Sequence, residues 1–407
     1  MSSVLPSAAA PALRDAPPRP AEFDIDAATA RVVKRLAGSA IERDRRGGHA
    51  AGEREAIRAS GLLALTIPRE FGGHGASWPV FYATLRRIAQ VDSALAHLYG
   101  FHHLQIASLL LFGAHSLQQR VLRETVTQRH FWGNALNPLD KRALATPTAS
   151  GWVIDGPKSF ASGSIGADRL VVSAWHAGTP GLLVGILPTD RAGVTTHADW
   201  DAFGQRQTDS GTVTFAQVPL AHDEVLLLPG QLQTPQASLR TLISQLIMAN
   251  LYLGIAEGAF DEARRYTLAQ TRPWQASGVE RAADDPYVQH RYADLWLKIR
   301  PAAAVADDAA RRLQAALDEG AGLDADGRGA VAIAISEAKV LAHRAAIDVS
   351  SQMFELTGAR STSRSLGLDR FWRNARVHTL HDPIDYKLRD IGRHLLDGRN
   401  PEPTSYS

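Results

Sequence analysis

Three regimes of hydrophobic patterning divide the chain. From about Asp24 to Ala114 apolar residues recur at helical spacing, and Ile25, Ala28, Val32, Leu36, Ala40 and Ile41 share one face of the first run. Gly72, Gly73 and Gly75 interrupt the pattern within IPREFGGHGASWP, where Ser77 is placed to cap a new helix with Pro79 in its first turn. That helix, Val80 to Val91, leads into DSALAHLYGFHHLQIASLLLFG, which is apolar nearly all round and therefore predicted to be buried on most sides. From Phe131 to about Pro219 the period changes to short β-type runs between Gly, Pro and Asp turns: FWGNAL, GWVIDG, RLVVSAW, GLLVGILP, GVTTH and GTVTFAQVPL. They predict an antiparallel β-domain of six to eight strands. From about Ala237 the helical period returns in three long runs, to Gln270, from Pro286 to Leu317 and from Ala325 to Leu356, the last closed by Gly358. A final helix is expected over Leu388–Leu396, entered through Asp382 as N-cap and Pro383.

The fold class is therefore α+β: an N-terminal helical domain over 23–130, a central antiparallel β-domain over 131–235 and a C-terminal four-helix bundle over 236–407. Residues 1–22, rich in Ala and Pro, are expected to be a disordered tail; they lack the basic start and unbroken apolar core of a signal peptide. At 407 residues the chain is long enough for two or three domains.

Charge and composition narrow the function. The 44 basic and 42 acidic residues nearly cancel, which gives no electrostatic case for a nucleic-acid partner. The chain has no cysteine, which excludes disulfides, thiolate metal sites and a cysteine nucleophile, and fits a reducing cytoplasm. No run of 18 apolar residues marks a membrane span. There is no P-loop, no Rossmann glycine pattern and no nucleophile elbow, so a nucleotide would be held by other means.

Five stretches carry candidate chemistry, each with a structural reading beside it. His102 and His103 lie in the apolar helix, where at most one can face a given pocket; a core histidine bonded to a backbone carbonyl is the alternative. SFASGSIGAD, with Phe160 and Ser162, is a small-residue loop that either lets a flat ligand approach backbone amides or simply turns a hairpin. DWDAFGQRQTDSG places Trp200 among amide and guanidinium groups, suited to stacking on a planar cofactor or to packing on itself. Arg272, in Arg272-Pro273-Trp274, suits phosphate or a surface salt bridge. FWRNARVHTLHDPIDYK holds His378 and His381 three residues apart, on one helix face. A two-His-one-carboxylate metal set with Asp382 is disfavoured there, because neighbouring His381 and Asp382 point apart on a helix, and no metal is expected.

In order along the chain, ASGLLALTIPREFGGHGASWP, GFH at 100–102, ASG at 161–163, DWDAFGQRQTDSG, ANLYLGIAEGA, TRPW, DDPY, GARSTSRSLGLDRFWRNARVHTLHDPIDYK and GRNPEP resemble the two-component, reduced-flavin monooxygenases of the acyl-CoA dehydrogenase fold. That group includes the enzymes that oxidise dibenzothiophene and those that oxidise alkanesulfinates or sulfones for sulfur acquisition. The resemblance implies a flavoprotein that takes FMNH2 from a separate NAD(P)H:flavin reductase, reacts it with O2 to a flavin C4a-hydroperoxide and passes one oxygen to sulfur. It implies a homotetramer without membrane or nucleic-acid partner. It assigns His102, Ser162 and His381 to the reactive edge, and Asn134, Phe160, Ser162, Trp200, Arg272, Arg360 and His378 to cofactor binding. A dehydrogenase of this fold needs a carboxylate base; this chain has Thr379-Leu380-His381-Asp382 in the relevant stretch, so Asp382 keeps FAD-dependent acyl-CoA dehydrogenation as an alternative, beside N-hydroxylation. Leu136, Asn137 and Pro138, with the His102-His103 pair, depart from the dibenzothiophene pattern and favour a small organosulfur substrate.

Overall fold

A computed structural model describes residues 23–231, 234–404 and 406–407; the tail expected over 1–22 lies outside the described residues. Six helices come first: α1 (Ile25–Ala37), α2 (Ala40–Arg46), α3 (Ala51–Ala59), α4 (Trp78–Ala89), α5 (Ser93–Phe112) and α6 (His115–Gln128). The turn at Gly72–Gly75 is required by space as well as by φ. A Cβ on Gly73 would stand 2.1 Å from the Ile67 carbonyl oxygen. Pro79 sits in the first turn of α4, as expected, but Ser77 makes no side-chain cap bond.

The central region contains β1 (Trp132–Ala135), β2 (Leu144–Thr148), β3 (Gly151–Lys158), β4 (Arg169–His176), β5 (Leu182–Pro188), β6 (Val194–Thr196), β7 (Val213–Ala221) and β8 (Val225–Leu227). They form one sheet in the order β6-β7-β3-β2-β4-β5-β8. The sheet is mixed rather than wholly antiparallel. β1 and β2 both pair in parallel with β4, β1 along its first half (Trp132 opposite Arg169) and β2 at its end (Leu144 opposite Trp175). Two short strands thus share one edge of β4, a pairing that alternation within each strand does not reveal.

The C-terminal region holds α7 (Pro235–Gln270), α8 (Pro286–Glu319), α9 (Ala325–Thr357), α10 (Asp369–Thr379) and α11 (Ile384–Asp397). The first three are the long members of the bundle; α10 packs on α7 and α9, and α11 on α9. Among the described residues, α7 alone is long and apolar enough to cross a membrane, and its apolar window is 83% buried inside the protein. One apolar core joins α1, α4, α5, α7, α8 and α9, from Ala28 and Leu85 through Leu104 and Ile247 to Leu313 and Val349. The N-terminal helices and the bundle therefore form one body, with the sheet on its flank.

α11 starts differently from expectation. Pro383 is the N-cap and Asp382 makes no cap bond. Its carboxylate turns inward to the buried Lys339 of α9, because a charge-assisted bond in a dry interior outweighs an exposed cap.

Candidate active site

The site begins with α5. Asp92 caps it by accepting from the Leu95 amide at 2.9 Å and pairs with Arg43 at 2.5 Å, which fixes the helix's rotation. At about 100° per residue, His97, Phe101, Gln105 and Ser108 fall within an arc of about 80°. His102 lies about 140° away from His97 by the same geometry.

That angle separates the two histidines' environments. The His102 ring is fully buried; its Nδ1 accepts from the Trp132 amide at 3.1 Å and its Nε2 donates to the Leu63 carbonyl at 2.8 Å. Burial pulls its pKa down to about 4, so it is a neutral imidazole with both nitrogens engaged by backbone. His103 is likewise held, between the Thr66 hydroxyl at 2.7 Å and the Leu62 carbonyl at 3.1 Å. His97, only 6% exposed, has no partner on either ring nitrogen. It stacks on Phe101 with centroids 4.0 Å apart and lies 5.0 Å from the ring of His378. Burial, then the nearby His381, lowers the His97 pKa to about 3. Burial, with His97 and His381 as further causes, also pushes His378 well below its usual value. The Nδ1 of His378 is unpartnered, while its backbone carbonyl accepts from the Tyr252 hydroxyl at 2.9 Å.

His381 closes the group from outside, with its side chain 41% exposed. Its Nδ1 is 3.4 Å from the Asp382 carboxylate, which pairs with Lys339, and Lys339 also donates to Gln245 of α7. Burial works against the Asp382 carboxylate, but His381 and Lys339 more than offset it and hold its pKa well below the carboxylate range. Burial lowers the Lys339 pKa, with Asp382 opposing the shift. The Tyr406 ring lies 5.8 Å from the His381 ring, on the outer side.

Two loops of the sheet complete the site. Gln205 ties them to the helices: its backbone amide donates to Asn374 of α10 at 2.7 Å and its side-chain amide to Ser93 of α5 at 2.9 Å. Phe160, Gln205 and Asp209 all adopt positive φ (55°, 52° and 45°), a strained conformation for non-glycine residues that clusters at functional sites. Phe160 is 61% exposed and stands edge-on to Trp200 at 6.0 Å, whose indole donates to the Gln205 carbonyl. Asn134 is buried at the end of β1, its amide nitrogen donating to the Ser162 carbonyl. The Ser162 hydroxyl begins a directed chain. Thr208 donates to the Gln205 carbonyl at 3.0 Å, Ser210 donates to Thr208 at 2.8 Å, and Ser162 is 2.8 Å from Ser210. With each proton committed downstream, Ser162 donates to Ser210 and has only lone pairs left for a further partner.

Arg272 and Arg360 lie elsewhere. Both are exposed, and Arg360 donates to the Gln270 carbonyl at the far end of α7. Tyr252, at the level of the histidines, is 18 residues from Gln270, or about 27 Å of helix. Among the described residues, neither arginine bonds to the sheet. Gln205 was read from the sequence as an amide neighbour of Trp200; the residues that sequence reasoning passed over are His97, Lys339 and Ser210.

Family models of the acyl-CoA dehydrogenase N-terminal domain and C-terminal domain match residues 25–129 and 246–386. The chain is 47% identical to a probable FMNH2-dependent monooxygenase, SfnC, of Pseudomonas putida, over 96% of this chain and 98% of that one. Methanesulfinate monooxygenase MsuC from Pseudomonas fluorescens superposes with a TM-score of 0.92 at 46% identity, covering 94% of this chain and 99% of that one. The FMN-bound form of the dibenzothiophene monooxygenase TdsC from Paenibacillus sp. A11-2 superposes with a TM-score of 0.90 at 42% identity, over 94% and 99% of the two chains.

Proposed function

The chain belongs to the acyl-CoA dehydrogenase family, in its branch of FMNH2-dependent monooxygenases, and from that membership we propose that it oxygenates a small organosulfur compound with reduced FMN supplied by a separate flavin reductase. The observation that carries this reading is His97: an imidazole sealed beside His378 and His381 with both nitrogens free for a reacting group.

The residues fit a flavin. Phe160 and Trp200 offer flat apolar contacts, and Asn134 and Ser162 offer polar ones. Reduced FMN supplies two electrons to O2, so that one oxygen atom enters the substrate and the other leaves as water. Ser162, fixed as an acceptor by Ser210 and Thr208, fits an N–H such as a reduced flavin carries at N5. Leu98 and Leu104 are buried and Phe101 packs partly buried against the same core, an apolar surround that favours oxygen transfer over release of peroxide. His97, held neutral by burial, can carry a proton at either nitrogen, and we assign it the acid–base role on α5 in place of His102. His381, aligned by Asp382, serves from the opposite wall. The same Asp382 argues against acyl-CoA dehydrogenation. A carboxylate locked onto a buried lysine is no free base for an α-proton.

Arg272 and Arg360 belong to the proposal as contributions from a second copy. Their exposure and their distance along α7 from the histidines support a homotetramer in which each cofactor phosphate is met by a neighbour's arginines. A cytoplasmic enzyme, drawing on the cell's NAD(P)H, completes the reading. The test is reconstituted turnover with FMN, NADH and a generic flavin reductase, offered methanesulfinate, dimethyl sulfone and dibenzothiophene. Reductase-dependent oxygenated product is expected. Anaerobic reduction of bound flavin by an acyl-CoA, with no oxygenation, overturns it.

A further inference from the structure

The face of α5 that carries His97 and Phe101 continues to a polar group that the reaction just described does not use. α5 and α7 run antiparallel along their seam: Gly100 abuts Ile247, and Ser108 meets Arg240, seven residues earlier on α7. Arg240 donates through Nε to the Ser108 hydroxyl at 2.9 Å, and that hydroxyl is free to accept because it donates to the Leu104 carbonyl at 2.9 Å. Neither terminal guanidinium nitrogen bonds to a described residue. No carboxylate among the described residues pairs with the group, and burial alone pulls its pKa down to about 10.

Gln105, one turn from Ser108 on the same face, is 1% exposed with both its amide oxygen and its amide nitrogen unpartnered. A partly buried cation with no carboxylate partner among the described residues, one turn from a fully buried amide without a partner, leaves donors available to a ligand. The two groups share a need for an acceptor, and a guanidinium with an amide N–H is a natural receptor for an oxyanion.

We propose that Arg240, Gln105 and Ser108 form an oxyanion subsite at the α5–α7 end of the substrate cavity, and that the substrate is an anionic organosulfur compound rather than a neutral sulfide or sulfone. This rests on the monooxygenase reading for the reaction but not for the binding. Gln105 lies eight residues from His97, about 12 Å further along the helix. The charge can then sit on the oxidised sulfur itself, as in a sulfinate, or on a carboxylate several bonds away.

Calorimetric titration of the flavin-free protein separates these cases with three ligands: methanesulfinate, 3-(methylsulfonyl)propanoate and neutral dimethyl sulfone. In the wild type at least one anion is expected to bind more tightly than the sulfone. Arg240→Leu is expected to weaken that anion at least about tenfold while leaving the sulfone within about twofold. Gln105→Leu is expected to produce a smaller loss of the same selectivity, and Arg240→Lys a partial recovery. With the reconstituted system, the Arg240→Leu loss is expected in KM for the anion, with kcat largely retained. Equal losses for charged and neutral ligands, or no loss for either anion, overturn the proposal. Reductase-dependent oxygenated product combined with anion binding that is indifferent to Arg240 overturns the subsite and leaves the monooxygenase reading standing. Arg240-dependent anion binding without any FMNH2-dependent product does the reverse.

Discussion

Replacing Lys339 by Met tests the ion pair beneath the site. Lys339 has no exposed surface, and its ammonium is shared by Asp382 and Gln245. Its removal leaves the Asp382 carboxylate, whose side chain is only 8% exposed, with the His381 ring at 3.4 Å. Breaking a buried pair from one side costs about 3–5 kcal/mol, because the surviving charge keeps its desolvation penalty. Asp382→Asn strands the lysine and is expected to cost a similar amount. The double variant removes both charges, so it should recover much of either loss and show a coupling energy of about 2–3 kcal/mol. The assay is urea unfolding followed by circular dichroism, with all four proteins at one concentration. Single losses below about 1 kcal/mol, or additivity within about 0.5 kcal/mol, refute the claim that this pair is dry and mutually dependent. Activity should follow a different rule: the double variant regains stability but not rate, because His381 has lost the carboxylate that aligns it.

Three further outcomes follow from the same contacts. His97→Ala should lower product formation by on the order of 10²-fold or more with little change in unfolding midpoint, whereas His102→Ala, which strands the Trp132 amide and the Leu63 carbonyl, should chiefly destabilise, by about 1–3 kcal/mol; steady-state turnover and urea unfolding of both variants check this. Ser210→Ala frees the Ser162 proton to turn outward, so the preference for reduced over oxidised FMN should fall about three- to tenfold in paired anaerobic and aerobic titrations. The folded pKa values of His97 (about 3) and His102 (about 4) lie below the ordinary histidine value, so the unfolded chain binds protons first as pH falls. Each histidine's contribution is whole above about pH 6.5 and falls by about 1.4 kcal/mol per pH unit below it, until the folded pKa is reached. Urea midpoints that stay flat between pH 7 and 5 contradict that burial.

The order of helices, strands and helices was legible because α1 and α4 carry clear helical periods, the bundle helices are long runs of helix-forming residues, and α1, α8 and α9 end at Gly38, Gly320 and Gly358. Gly358, for instance, takes a φ of 74° where the sequence ends α9. The parallel pairing of β1 and β2 with β4 was not legible, since it joins strands far apart in sequence and leaves each strand's own alternation unchanged. Phe160, Ser162 and Trp200 were singled out from loops, where small and aromatic groups stand out, His378 and His381 from a stretch rich in imidazoles, and Asn134 only through the family resemblance. The α5 histidine was harder. That helix is apolar all round, so its sequence has no polar face from which to read a phase, and the conspicuous pair His102-His103 drew attention from His97. The roles of Asp382 and Arg240 depend on what stands opposite them, Lys339 from 43 residues away and Ser108 from 132, and no local pattern encodes such meetings.

The central claim is that this chain moves an oxygen atom from O2 to sulfur at the expense of reduced FMN. The most direct measurement is a single turnover: protein mixed anaerobically with photoreduced FMN and methanesulfinate, then with buffer equilibrated with ¹⁸O2, and the product read by mass spectrometry. The account predicts product carrying one ¹⁸O atom from the wild type, and peroxide with little labelled product from His97→Ala. Unlabelled product, or label undiminished in that variant, contradicts it.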